Sequence, residues 1–324
     1  MSDPVLSIRN LSVEIPTRRG ILRPVDQVSY DIAGGEIVGV VGESGAGKSM
    51  AGNAVIGLLD PPARIAGGEI WLQGVRIDPL EGEEMRRLRG RSIGMIFQDP
   101  LTSLNPLLRI GDQLVETILT HLDLGREAAE ARAVELLDEV GIPAAAERIG
   151  AYPHEFSGGM RQRVVIALAL CAEPAMLIAD EPTTALDVSV QAGIIALIKR
   201  LCRERGMGVM LITHDMGVIA SAADRVAVMY AGRLVEIGPV ADVVGDPRHP
   251  YTDGLMGSAP AASLGQARMR QIEGAMPRLG AMPDGCAFHP RCARAQDRCR
   301  TGETPRIGAG MNRAACWYPL EGGA

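Results

Sequence analysis

The stretch Glu36-Ile37-Val38-Gly39-Val40-Val41-Gly42-Glu43-Ser44-Gly45-Ala46-Gly47-Lys48-Ser49 decides the fold. Its first half is a continuous apolar run, as expected of a strand buried on both faces in a parallel sheet. Its second half fits the pattern G-x-x-x-x-G-K-[ST] and leads into a helix, the context in which that pattern binds phosphate. Glycines let the backbone curl until successive N–H groups point inward, and the helix start adds partial positive charge. Lys48 can reach the β- and γ-phosphates of a nucleoside triphosphate, and the Ser49 hydroxyl can ligate Mg²⁺. Gly42, Glu43, Ser44, Gly45, Ala46, Gly47, Lys48 and Ser49 are therefore the first candidate site.

Outward from this loop, residues 5–15 and 25–32 read as β-rich runs, and 68–77 as a strand pair with Gly74 in its turn. Residues 91–97 read as a further strand. Residues 108–150 change to helical spacing, with Ala131, Val134 and Leu137 on one stripe and Leu136 and Val140 beside it. Gly141 and Pro143 end that helix. Helix and strand then alternate: helix 160–172, strand 176–179, helix 188–205, strands 208–213 and 225–230. This pattern predicts an α/β core with a parallel sheet. Past about residue 245, Pro, Gly and Arg become frequent and periodicity fades, which places a domain boundary there.

A second site follows from Met176-Leu177-Ile178-Ala179-Asp180-Glu181. A buried strand rarely ends in two carboxylates without a cation or proton to handle. Asp180 sits where a Mg²⁺-binding carboxylate belongs, and Glu181 is placed to polarise an attacking water.

Bulk properties narrow the partners. The net charge of -6 disfavours a nucleic-acid binder, which needs a basic surface. There is no apolar stretch of about 18 residues or more, so no membrane span is expected, and Met1–Asn10 has no leader pattern. Cys171 and Cys202 lie in apolar helical segments and read as buried free thiols. Cys286, Cys292, Cys299 and Cys316 crowd the tail, with gaps of five, six and sixteen residues. Structural zinc favours tighter pairs. Looser spacing suits a four-iron, four-sulfur cluster better, with Zn²⁺ or free or disulfide-bonded thiols as the alternatives.

Phe156-Ser157-Gly158-Gly159-Met160-Arg161-Gln162-Arg163 resembles the signature of ATP-binding-cassette proteins, usually LSGGQ. Gln98 in Phe97-Gln98-Asp99-Pro100 matches their Q-loop, Ala185-Leu186-Asp187 their D-loop, and His214 their switch histidine. The resemblance covers residues 5–245. It implies a P-loop nucleotide-binding domain over 1–245 with an antiparallel β-subdomain and a helical subdomain at about 99–172. It also implies ATP hydrolysis, with Lys48, Gln98, Glu181 and His214 in catalytic roles and Ser49, Gln98 and Asp180 around Mg²⁺. Ser157, Gly158 and Gly159 form a second anion-binding helix start, which in the family grips the γ-phosphate held by another cassette. Two departures stand out: Met160 replaces the usual Gln and Phe156 the usual Leu. At Ile15 the family commonly has an aromatic that stacks on adenine, so stacking is expected to be weaker or supplied from elsewhere, and selectivity over GTP looser.

Residues 98–106, QDPLTSLNP, resemble the stretch of oligopeptide, dipeptide and nickel importers that meets the permease. The FSGGM form is similar to their D-type subunit, and His249-Pro250-Tyr251-Thr252 resembles the start of their C-terminal extension, here 246–324. The resemblance implies a different second cassette as partner, two permease subunits and an extracytoplasmic binding protein. It places the chain on the cytoplasmic face of the membrane and favours peptides as cargo. A soluble cassette acting on DNA or ribosomes is the competing class. The compact insert between Gln98 and Ser157, the single cassette and the acidic charge all disfavour it.

Overall fold

The apolar alternation of Leu6–Thr17 and Gly20–Ile32 produces two long antiparallel strands, β1 and β2. The fold is given by a computed structural model that describes residues 4–184, 186–258, 271–302, 305, 307 and 313–321. Strand β3, Ile37–Val41, is buried at every position. Helix α1, Lys48–Val55, follows the Gly-rich loop. β4, Arg64–Leu72, and β5, Val75–Arg76, complete an antiparallel sheet of order β2-β1-β4-β5. Leu6, Ile8, Leu11, Val13, Val28 and Ile70 are buried in it.

The residues fall into two compact units. One comprises Ala33–Glu36 and Leu80–Met210 with the first residues of the chain. It holds α2 (Gly82–Leu88), β6 (Ile93–Ile96), α3 (Pro100–Ser103), α4 (Ile110–His121), α5 (Arg126–Glu139), α6 (Ala145–Arg148), α7 (Gly158–Leu170), β7 (Met176–Asp180) and α8 (Val188–Arg205). Strand β8, Gly208–Ile212, begins in it. β6 and β7 pair in parallel, Ile93 opposite Met176 and Ile96 opposite Ala179. α4, α5 and α7 pack on one another. The expected stripes are met in part, with Leu136, Leu137 and Val140 buried. Ala129, Ala133, Leu136 and Leu137 are buried, whereas Ala131 is exposed and Val134 half-buried. The small alanines let α5 approach its neighbours closely, and the bulkier Val134 stays at the margin.

The other unit comprises Leu6–Ile32, Ile37–Pro79 and the chain from Leu211 onward. Its later elements are α9 (Met216–Ala222), β9 (Arg225–Tyr230), β10 (Arg233–Pro239), α10 (Val240–Gly245), α11 (Pro250–Gly257), α12 (Asp297–Arg300) and β11 (Arg313–Ala314). β3 pairs in parallel with β9, and β10 is antiparallel to both β9 and β11. The tail, in which periodicity fades, thus supplies an edge strand. It also supplies aromatic packing: Tyr230, Tyr251 and Phe288 have ring centroids 4.6 to 5.4 Å apart.

The junction between β10 and the tail is fixed by Glu236, which is fully buried. Its carboxylate accepts the backbone N–H of Arg248 at 2.7 Å and of His249 at 2.9 Å. Burial pushes its pKa up while these donors oppose the rise. His249 caps α11 by accepting the Tyr251 N–H on Nδ1 at 3.0 Å, which requires a neutral imidazole. Burial ensures that by lowering its pKa to about 3. Among the described residues, no helix is long and apolar enough to cross a membrane. Glu236→Ala strands two buried amides and is expected to lower the stability of the folded chain by about 2–3 kcal/mol, measurable by urea denaturation.

Candidate functional site

The Gly-rich loop is held from both sides by backbone. Gly47 has φ of 100°, and a Cβ there would collide with the Pro24 carbonyl oxygen. A Cβ on Gly42 would collide with the Met229 carbonyl oxygen. Only glycine tolerates both the dihedral and the close approach. Gly232 N–H donates to the Ala46 carbonyl at 2.9 Å and fixes the far side of the turn. Lys48 is buried and curls over the loop, its Nζ donating to the carbonyls of Gly42 at 2.8 Å and Glu43 at 3.2 Å. α1 has no acidic residue in its first turn and no side-chain cap. The partial positive charge of this helix start therefore meets no carboxylate in its own first turn. Ser44, Gly45 and Ser49 are exposed on this loop.

In the other unit, β7 delivers two carboxylates with different surroundings. Asp180 is buried at the strand end. Glu181 turns at a φ of 47°, a left-handed backbone that a glutamate adopts only when held there. Two neighbours fix its carboxylate. Gln98 Nε2 donates to Oε2 at 3.0 Å, and Thr184 Oγ1 donates to the same oxygen at 2.9 Å. The structure so brings together Gln98 and Glu181, which lie 83 residues apart. Thr184 is a further member of this group that sequence reasoning missed; its place three residues after Glu181 was the available signal.

Ser157 caps α7, its hydroxyl accepting the Met160 N–H at 3.4 Å. Ser157 and Gly158 are exposed, and α7 has no acid in its first turn. A Cβ on Gly159 would press on Val190 in the first turn of α8, so the helix start requires glycine there. Met160 receives a long contact from Arg148 Nη1 to Sδ at 3.9 Å, and Phe156 is buried. The two departures from the usual signature therefore serve packing and leave the helix start intact. His214 lies in the other unit with Lys48 and is exposed. The next residue, Asp215, caps α9 by accepting Gly217 N–H at 2.7 Å. Ile15 is half-buried opposite Leu22. Ala185 lies outside the described residues.

The family profile described as ABC transporter matches residues 25–184. The dipeptide transport ATP-binding protein DppD of Bacillus subtilis is 47% identical over 319 residues, 97% of this chain and 95% of that one. The chain belongs to the ATP-binding proteins of ABC transporters. Within that family it falls in the oligopeptide and dipeptide branch, since the profile of that branch's C-terminal region matches residues 235–299. The DppD of Escherichia coli is 43% identical, covering 98% of this chain and 97% of its own. The oligopeptide transport ATP-binding protein OppD of Bacillus subtilis is 49% identical over 286 residues, 88% of this chain and 80% of its own. A dimeric ATP-binding cassette solved in a post-hydrolysis state with ADP and Pi superposes with a TM-score of 0.65. It is 27% identical and covers 72% of this chain and 98% of that one.

The cysteines of this ABC protein divide as expected in part. Cys171 and Cys202 are buried free thiols. Burial raises Cys171 to about 11, and Cys202 donates to the Met207 carbonyl. Cys286, Cys292, Cys299 and Cys316 line one small pocket with Phe288 and Trp317. Yet no three His, Cys, Asp or Glu side chains among the described residues form a group that could hold a metal ion. The expected ligated cluster, whether iron–sulfur or zinc, is thus not preformed. Burial raises Cys286 and Cys292 and lifts Cys316 to about 11, with neighbouring thiols adding to each rise. Gly47→Ala is expected to weaken ATP binding at least tenfold, because strain and collision deform the loop, read by titration with a fluorescent ATP analogue.

Proposed function

We propose that this chain hydrolyses ATP to drive an importer of dipeptides and oligopeptides. The observation that carries this reading is one chain holding the Gly-rich nucleotide loop, the Asp180–Glu181 strand end and the C-terminal region typical of the oligopeptide and dipeptide branch. In this reading residues 1–245 are the nucleotide-binding domain and 246–324 the extension.

The chemistry follows from the side chains. Backbone N–H groups of the Gly-rich loop and the start of α1, other than those of Glu43 and Ala46, and the Lys48 ammonium bind the phosphates. Ser49, Gln98 and Asp180 would hold Mg²⁺; a hydroxyl, an amide oxygen and a carboxylate are all hard oxygen donors, the set this ion prefers. Bound there, the ion would neutralise charge on the phosphate oxygens. Glu181, aligned by Gln98 and Thr184, orients water for in-line attack on the γ-phosphate and accepts its proton. His214 contacts the γ-phosphate and reports its presence. Ser157, Gly158 and Gly159 grip the γ-phosphate bound by a second cassette, so ATP joins two cassettes across composite sites. That partner is a related but different chain.

The membrane side is supported by an apolar surface beyond Gln98. Leu107 is 83% exposed, with Phe97 and Leu108 also open to solvent. A shallow groove beside them is lined by Thr102, Leu104, Asn105, Pro106 and Gln113. Exposed apolar groups of this kind suit docking to a protein. In this reading two permease subunits dock there from the cytoplasmic face, and an extracytoplasmic binding protein selects the peptide. Nucleic acid is not a partner.

Glu181→Gln is expected to bind ATP and stabilise the two-cassette complex while losing about a hundredfold or more in phosphate release. Unaltered turnover would remove Glu181 from the role.

A four-iron, four-sulfur cluster on Cys286, Cys292, Cys299 and Cys316 belongs to the same reading, in a structural role. It is supported by four thiols facing one pocket with apolar walls. Anaerobically purified protein is then expected to absorb at about 400 nm and to contain iron. A colourless, iron-free preparation with full ATPase activity would count against it.

A further inference from the structure

The second residue of the nucleotide loop, Glu43, is an awkward choice. It brings a carboxylate to a loop that must receive a polyanion. Everything that manages it comes from the C-terminal extension or packs against it. Arg291 Nη1 donates to both carboxylate oxygens of Glu43 at 3.0 Å. The Arg291 side chain is only 6% exposed, against 29% for Glu43. Its Nε donates to the Glu273 carbonyl at 2.9 Å and its Nη2 to the Ile272 carbonyl at 3.3 Å. The guanidinium lies over the rings of Tyr230 and Phe288, 5.8 and 6.0 Å from their centroids. Tyr251, fully buried, accepts the backbone N–H of Glu43 on its hydroxyl at 2.9 Å. Met276 packs at the tip of the same loop, 3.1 Å from where a Cβ on Gly45 would sit.

We propose that Arg291 and Tyr251 are positioning residues for ATP binding, holding Glu43 and the first turn of the nucleotide loop open to phosphate. Arg291 neutralises the Glu43 carboxylate and turns it toward the tail. Tyr251 anchors the amide at which the loop leaves β3. A guanidinium is suited to this, since one planar fork engages a carboxylate and two carbonyls at fixed angles. Without it, the Glu43 carboxylate is loose beside incoming phosphates and repels them.

This inference rests on residues 42–49 being the nucleotide loop. It is tested by a double-mutant cycle in the full-length chain, reading the Kd of a fluorescent ATP analogue with Mg²⁺. Arg291→Ala is expected to weaken binding about tenfold, and Glu43→Gln less than about threefold. The double variant should return to within about threefold of Glu43→Gln, because no carboxylate is left to repel phosphate. Tyr251→Phe should raise Kd several-fold by releasing the Glu43 amide. A purely structural tie predicts the opposite for the pair, since removing Glu43 as well would restore nothing. Equal losses in Arg291→Ala and in the double variant, or no loss in either, would overturn the inference. Should Arg291→Ala not fold, Arg291→Lys keeps the charge and loses the fork, and its loss must be relieved by Glu43→Gln in the same way. If the wild-type chain bound no ATP, the function proposed above would fail. Wild-type binding with uncoupled variants sinks the positioning role alone.

Discussion

Two helix starts, those of α1 and α7, have their first turns kept clear of acidic side chains. A helix leaves its first N–H groups without intrahelical partners, and the aligned peptide dipoles add to their positive potential. Most proteins satisfy such groups with a capping side chain. Here α1 begins at a glycine that offers none, and α7 has only the Ser157 hydroxyl, on one amide. The rest of the architecture keeps these two ends rigid and accessible. β3 is buried at every position behind one, and Phe156, Arg148 and Val190 pack about the other.

The Glu181 carboxylate depends on the same economy of freedom. Glu181 occupies a backbone conformation that costs a glutamate about 1 kcal/mol or more. It is held by the parallel pairing of β6 and β7 and by two donors converging on one of its oxygens. At this turn the Glu181 carboxylate meets Gln98 and Thr184 while Asp180 remains buried. Two adjacent carboxylates thereby acquire different environments, the requirement for giving them different tasks.

Legibility in the sequence followed periodicity. β3, α8 and β9 could be read from their residues because apolar runs and caps there are unambiguous, and α8 and β9 begin and end where expected. The Gly-rich loop and the Asp180–Glu181 pair were legible because backbone curling and paired acids leave little chemical choice. The stripe on α5 was partly misjudged because alanine counts weakly as apolar, yet Ala129 and Ala133 are the residues that allow close helix approach. β11 escaped notice since its partners on β10, about 80 residues away, leave no local trace, whereas β10 forms a local hairpin with β9 that was not read. The bond from Arg291 to Glu43 spans 248 residues and has no periodic signal at all. Spacing alone read the tail cysteines as ligands; the four line one pocket with Phe288 and Trp317, yet among the described residues they do not form a group that could hold a metal ion.

The late position of Tyr251 and Arg291 has a consequence for biogenesis. A ribosome makes the nucleotide loop more than 200 residues before the tyrosine and arginine that brace it. β11, near the carboxyl end, is later still. A nascent chain therefore carries a soft nucleotide pocket for most of its translation. Full grip on ATP waits for Tyr251 and Arg291, so copies that stop short of them are poorly equipped to hold the nucleotide.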